Sequence, residues 1–275
     1  MSIFQFLYNR YRYPVILLRQ LVATDFKLRY KSSVLGYVWS MLRPLLLFLV
    51  LYIVFIKFLK IRANNINDPA IYLLTGIVIW NFFGEVTLRS INSIVARGDI
   101  LRKINFPKYI IVISVTISAV INLILNFIVI LVFMIFGNSH PIPLAFIMIP
   151  LCILELFIFA LGIGFLLSAL YVKLRDVIYI WEVVMQAGFY ATPILYPISL
   201  IVDKSILAAK VIMINPVAQV IQDVRYYLVD QNTVTISHIF DRGYLMYTPI
   251  VFSLVVFVVG AVVFRSKSKR FAEDI

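Results

Sequence analysis

In a chain of 275 residues, 63% hydrophobic side chains against 14% charged ones excludes a soluble globular domain, about a quarter of which is charged. Its mean hydropathy is +0.99, and a core of this length cannot enclose so much apolar surface, so lipid must solvate most of it. The formal net charge of +12 does not indicate nucleic acid, because the basic residues gather at the ends of apolar runs, where a multi-pass protein meets anionic headgroups.

Residues 1–36 carry many Arg and Lys and hold no unbroken apolar core before a cleavage site, so no secretory leader is expected there. Leu18, Val22, Phe26 and Tyr30 step by four along one helical face, with Gln20, Thr24, Lys27 and Lys31 opposite. That pattern suits an interfacial helix lying on the membrane surface, or a helix packed on another subunit; the two are compatible. Asp25 and Arg29 fall near the apolar face. Their spacing either lets them neutralise each other or leaves Arg29 for an anionic group at the lipid boundary.

Six apolar stretches follow, at 37–59, 71–88, 109–136, 143–171, 177–196 and 244–264. A perpendicular span needs roughly 20 helical residues for about 30 Å of hydrocarbon, so the third and fourth are predicted to tilt or protrude. An even number of spans places both termini on one side. That side takes Arg10, Arg12, Arg19, Lys27, Arg29, Lys31, Arg97, Arg102, Lys103, Lys108, Lys173, Arg175, Arg265, Lys267, Lys269 and Arg270. The other takes Lys57, Lys60, Arg62, Lys204, Lys210, Arg225 and Arg242. Sixteen against seven makes the side with the termini cytoplasmic.

The connection 95–108 is closely punctuated: Gly98 is expected to break the preceding helix, Asp99 to cap a short one and Pro107 to stop it. Exposed Ile100 and Leu101 read as a docking surface, against the simpler reading of a basic topological loop. The outer segment 197–243 is interrupted by Pro197, Asn215-Pro216 and the aspartates Asp203, Asp223, Asp230 and Asp241. It reads as two short helices dipping into the outer leaflet, or as a compact external cap.

No catalytic constellation stands out. His140 and His238 are far apart, the lone Cys152 lies in an apolar run, no cluster has metal-ligand spacing, and no Gly-rich phosphate loop occurs. The expectations are no catalytic residue, no metal and no cofactor on this chain. Glu85, Glu155 and Glu182 lie within apolar runs, where ionisable groups default to functional hypotheses. Glu85 has Arg89 one turn along for a structural ion pair, and Glu155 has no local partner. Among the aromatics, Tyr37, Trp39, Trp80, Phe82, Phe83, Phe189, Tyr190 and Tyr196 stand near span ends, as interfacial belts or as flat walls on which sugar rings stack.

The chain resembles the membrane-spanning permeases of ABC exporters for polysaccharides and polyol phosphates, the O-antigen and teichoic-acid family. The pieces that carry the resemblance occur in order: the run from Asp25-Phe26-Lys27 through Gly36-Tyr37-Val38-Trp39-Ser40 with Pro44, then Leu74-Thr75-Gly76 and Trp80-Asn81-Phe82-Phe83. After them come Leu101-Arg102-Lys103-Ile104-Asn105-Phe106-Pro107-Lys108, Arg175-Asp176, Thr192-Pro193-Ile194-Leu195-Tyr196, Asn215-Pro216 and Arg270-Phe271-Ala272-Glu273. The resemblance implies a homodimer of six-span subunits joined to two cytoplasmic ATP-binding subunits that hold ATP and Mg. A polymer on undecaprenyl pyrophosphate or a similar lipid would pass between the permeases. It assigns Arg29 and Lys31 to headgroup admission, and the helix with Asp99, Ile100, Leu101, Arg102, Lys103, Phe106 and Pro107 to coupling. The outer helices become a gate, and the eight aromatics become candidate path walls.

The expected fold is thus an all-α polytopic membrane protein in one domain, 1–275. An amphipathic interfacial helix region at 1–36 precedes a six-span region at 37–264 with two short outer re-entrant helices between spans five and six, and 265–275 forms a cytoplasmic tail. The expected function is export of a lipid-linked cell-surface polysaccharide or teichoic acid across the bacterial cytoplasmic (inner) membrane. The alternative is an ion- or proton-coupled carrier or lipid flippase without an ATPase, motivated by Glu85 and Glu155. A membrane-embedded transferase is third, lacking an acid/base pair with a nucleophile.

Overall fold

The computed structural model describes residues 3–29, 36, 38–58, 68–104, 106–136, 141–240 and 243–274, and every regular element among them is a helix. In chain order these are α1 (Ile3–Arg29), α2 (Val38–Leu51), continuing as a π-helical segment Tyr52–Phe58, α3 (Pro69–Ser93), a 3-10 turn Val95–Arg97, and α4 (Gly98–Lys103). Next come α5 (Tyr109–Phe136), α6 (Ala145–Tyr171), α7 (Val177–Ala191), α8 (Ser199–Val202), α9 (Ile206–Met213), α10 (Pro216–Leu228) and α11 (Ile236–Ile239). A 3-10 segment Gly243–Tyr247 leads into α12 (Thr248–Ser268), and α13 (Phe271–Asp274) closes the chain.

Helices α3, α5, α6 and α12, the last with its 3-10 lead-in, are long and apolar enough to cross a membrane. The first and fifth expected spans are shorter apolar helices, Val38–Val54 and Val177–Ala191. At 1.5 Å per residue, the 15 residues of α7 rise about 22 Å, less than the hydrocarbon thickness. The shortfall is chemical: Thr192 turns extended (ψ 140) ahead of Pro193, because a residue before proline avoids the helical region. The stretch 192–196 is therefore not helical.

α3 is the hub of the bundle. Of its apolar window 83% is buried inside the chain, against 22% for α12, so protein surrounds α3 while α12 turns most of its surface outward. Its hydroxyl residues cap its own carbonyls, with Thr75 donating to the Ile71 carbonyl (2.8 Å) and Thr87 to that of Phe83 (2.9 Å). A polar seam on α5 faces it: Asn122 Nδ2 donates to Glu85 Oε1 (2.7 Å), and Arg89 Nη1 donates to the same oxygen at 3.1 Å. Glu85 is therefore held in a structural ion pair.

α6 and α12 touch main chain to main chain. A Cβ on Gly260 would stand 2.2 Å from the Gly162 carbonyl oxygen, so only glycine fits. Two residues on, Gly164 gives the Ser90 hydroxyl of α3 the same clearance, 2.8 Å from its would-be Cβ. Gly36, in the turn before α2, has φ +50, a left-handed conformation that glycine adopts without strain.

α9 and α10 form a pair bent by 98° between α7 and α12. The bend has local causes: Asn215 Oδ1 accepts from the Val217 amide (3.0 Å) and Pro216 occupies the first helical position. Among its described residues the 197–243 segment holds four α-helices, α8 to α11, where two were expected. Asp223 interrupts nothing, since it sits inside α10 and accepts from Gln219 Nε2.

Candidate functional site

At the end of the bundle where α3 runs into α5, the connection forms a small platform. Gly98 is helical (φ −53) and opens α4 without breaking anything; the break is the 3-10 turn Val95–Arg97 ahead of it. Asp99 in the first turn and Arg102 and Lys103 in the last oppose the helix dipole. Extended Ile104 (ψ 130) stops the helix, and Pro107 starts the next one, its carbonyl accepting from the Ile110 amide (3.1 Å).

A six-residue helix is not stable by itself, so α4 needs tertiary anchors. Leu101 and Phe106 supply them, only 7% and 6% exposed, in a cluster with Ile94, Phe165, Phe264 and Phe271. The expectation of an exposed Leu101 is corrected: the apolar residues left outward are Ile100 (40% exposed) and Ile104 (51%). Asp99, Arg102 and Lys103 are exposed around them, and Pro107 is half-buried. Phe271 of α13 is 1% exposed and meets Phe264 edge-on with centroids 5.3 Å apart, so the tail wedges beneath α4.

α1 joins the platform through an ion pair between Arg97 and Asp25, with Leu17 and Leu21 against the same cluster. Asp25 is thereby tied to Arg97 of the 3-10 turn, 72 residues along the chain. Lys31 and Tyr37 lie outside the described residues, as does the side chain of Arg29.

The other aromatics divide sharply. Trp80, Phe82 and Phe83 are buried in the core (7%, 3% and 5% exposed). Phe83 stacks on Phe159 at 5.5 Å, and Trp80 meets Phe189 at 6.2 Å while lying against Gly188. Their faces are used within the chain, because α3 is enclosed on all sides. Trp39 and Tyr190 are exposed, and Phe189 and Tyr196 half-buried. The Tyr196 hydroxyl donates to the Tyr190 and Ala191 carbonyls (3.1 and 3.2 Å), tying down the frayed end of α7.

At the opposite end lies a residue that the sequence placed only as one of the charges of the outer segment 197–243. Arg225 of α10 is fully buried. Its Nε donates to the Tyr72 carbonyl (2.9 Å), Nη1 to that of Pro193 (2.6 Å) and Nη2 to that of Ile194 (2.8 Å). The guanidinium also lies 3.6 Å from the centroid of the Tyr72 ring. Gly76 makes room for it, since a Cβ there would stand 2.5 Å from Nη2. Arg225 thus pins α10, the start of α3 and the broken end of α7 to one another. The signal was present but distributed: Gly76 and Pro193-Ile194 both belong to short pieces with no evident role of their own. Nearby, Glu155 Oε1 and Gln219 Oε1 are buried without hydrogen-bond partners. His238 has a local task, its Nδ1 accepting from the Thr235 amide at 3.2 Å in a capping box.

A bundle of long apolar helices with a small anchored platform between two of them defines a multi-pass membrane protein of transporter type. Residues 16–229 match the ABC-2 type transporter family, and the chain belongs to it. It is similar to an O-antigen export system permease protein RfbA of Klebsiella pneumoniae, 30% identical over 250 residues that cover 90% of this chain and 91% of that one. It is also similar to the protein of that name in Myxococcus xanthus, 26% identical over 96% of this chain and 97% of the relative. The protein is accordingly a membrane subunit of an ABC exporter, a class whose permeases are not themselves catalytic.

Proposed function

We propose that this chain is the membrane-spanning half of an ATP-driven exporter for a lipid-linked cell-surface polysaccharide. Two copies assemble with two cytoplasmic ATP-binding subunits that carry ATP and Mg, in the bacterial cytoplasmic membrane with both termini inside. The observation that carries the reading is the platform. α4 is too short to stand alone, is seated on its inner side by Leu101 and Phe106, and offers Ile100 and Ile104 outward within a basic rim. Such a helix suits a partner that pushes on it. End-to-end similarity to relatives named for O-antigen export supports a polysaccharide as the cargo. In this reading the two shorter apolar helices complete a six-span set, α9 and α10 form the outer re-entrant gate, and Arg29 and Lys31 admit the pyrophosphate headgroup.

Leu101 is unsuited to testing the docking surface, because a charge there would unseat α4 itself. Ile100→Asp and Ile104→Asp, singly and together, leave the seat intact and place a charge on the outer face. Each is expected to weaken copurification of the ATPase and to lower ATP-dependent export in vesicles, with the permease still correctly inserted. Unchanged export and ATPase recovery in the double variant would remove the coupling role. Export that needs a proton gradient and ignores ATP would instead support the carrier alternative.

Along the path, Trp39 and Tyr190 are the two exposed rings of the described candidates, so Tyr190 is the one to probe on α7. Tyr190→Leu keeps bulk without a flat polar-edged face. It is expected to slow export or shorten the polymer delivered while ATP hydrolysis persists; full export in that variant would return Tyr190 to a belt role.

A further inference from the structure

Beside the platform, between the start of α5 and the last turn of α12, lies a cavity of about 550 Å³. Phe106 and Phe264, both buried, contribute apolar wall, and Lys108, Tyr109, Arg265 and Lys269 contribute polar rim. We propose that this cavity binds the phosphate headgroup of an anionic membrane lipid, whose occupancy braces the platform.

The charge arrangement carries the inference. Arg265 in the last turn of α12 and Lys269, its C-cap residue with helical dihedrals (φ −63, ψ −32), stand one turn apart, so they share a face. Lys108 reaches the same cavity from the α4–α5 connection, with Nζ donating to the Ser268 carbonyl and lying 5.8 Å above the Phe271 ring. None of the three has a carboxylate partner among the described residues. The C-terminus of α12 supplies only about half a negative charge, too little to balance three cations. Among the described residues the three cations face no anion, and phosphate oxygens match both the fork of Arg265 and the point charges of the lysines.

The setting selects the source of the phosphate. Two long apolar helices meet at the cavity, α5 beginning there and α12 ending there, and basic pockets between such helices on the cytoplasmic side suit anionic headgroups. The apolar rings favour a molecule that continues into acyl chain over a free ion. Such a lipid would bridge Lys108, covalently continuous with α4, to Arg265 and Lys269 at the end of α12. Its effect would be to hold the tail and the platform in register. The assignment of the headgroup to the inner leaflet rests on the orientation proposed above; the binding itself does not rest on export.

The test uses the full permease, purified with its ATPase subunit where one copurifies, in nanodiscs of phosphatidylcholine alone or mixed with phosphatidylglycerol. Retained phosphatidylglycerol is measured by native mass spectrometry for wild type, Arg265→Gln/Lys269→Gln and the charge-conserving Arg265→Lys. Wild type is expected to retain phosphatidylglycerol through delipidation. The double variant should retain about thirtyfold less, the scale set by removing two cations from an anionic headgroup. Arg265→Lys should lie between them. All three should unfold at similar temperatures, since both altered side chains are exposed. Equal retention by wild type and double variant would overturn the site. Displacement of the phosphatidylglycerol by inorganic phosphate at millimolar concentration would assign the cavity to a free anion and overturn the lipid. Lipid retention that follows the variants while export is absent altogether would uphold the site and count against the proposed function alone.

Discussion

Arg225→Ala is expected to give a permease that inserts but unfolds at a markedly lower temperature, with export lost. Removing the guanidinium deprives two carbonyls outside regular helix, those of Pro193 and Ile194, of their charged donor. Each buried acceptor left unmatched costs about 1–3 kcal/mol, before any cavity term. Gln222 Nε2 offers the Pro193 carbonyl a replacement only at 3.5 Å. Arg225→Lys keeps the charge but not the planar fork, so it should recover part of the loss. The diagnostic variant is Gly76→Ala on α3, whose methyl group would stand 2.5 Å from Nη2 and drive the guanidinium off its acceptors. Because both variants break one network, their effects should fall well short of additive in the double mutant. Thermal unfolding of the detergent-purified protein measures this. Full additivity, or an Arg225→Ala protein as stable as wild type, would show that the three carbonyls do not depend on Arg225.

The same residue shows where sequence reading stops. Apolar runs place the long helices well: α5 occupies Tyr109–Phe136, the expected 109–136, because a long apolar run free of charged residues, with Pro107 shortly before it, leaves little choice. α7 starts where expected and ends early, since the apolar run continues through a Thr-Pro pair that the helix cannot follow. Periodicity gives α3 a polar stripe of Asn81, Glu85, Arg89 and Asn92 but leaves its other faces alike, so its rings Trp80, Phe82 and Phe83 were open to either role until their neighbours were known. The burial of Leu101 depends on Phe271 at the far end of the chain, and the partner of Asp25 is 72 residues away. Arg225 was counted only among the charges of the outer segment because one line of sequence cannot show that Gly76 has vacated the space it fills. Local chemistry such as the Asn215-Pro216 helix start was legible; pairings made by the fold were not.

Gly260→Ala should separate α6 from α12, with consequences beyond the point of contact. The added carbon would stand 2.2 Å from the Gly162 carbonyl oxygen and 3.0 Å from its carbon, and both are main chain, so no side-chain rotation relieves the clash. The reciprocal change Gly162→Ala meets the Phe257 main chain at 2.6 and 2.7 Å. Either variant must push the helix axes apart and loosen the tilted ring pairs along the seam, Phe159 with Phe252 (6.0 Å) and Phe165 with Phe264 (5.0 Å). Phe264 in turn supports Phe271 beneath α4, so the loss should reach the platform and lower export together with stability. Gly84→Ala is the matched control: its new methyl would meet only the terminal carbon of Met185 at 3.1 Å, a flexible group that can swing aside. Gly243→Ala, with nothing within 4 Å, should be silent for packing. The expected order of unfolding temperature is therefore Gly243→Ala near wild type, Gly84→Ala slightly lower, and Gly162→Ala and Gly260→Ala far lower. A Gly260→Ala permease as stable as Gly84→Ala would mean that the two helices have room to part, and that the seam does not transmit to α4.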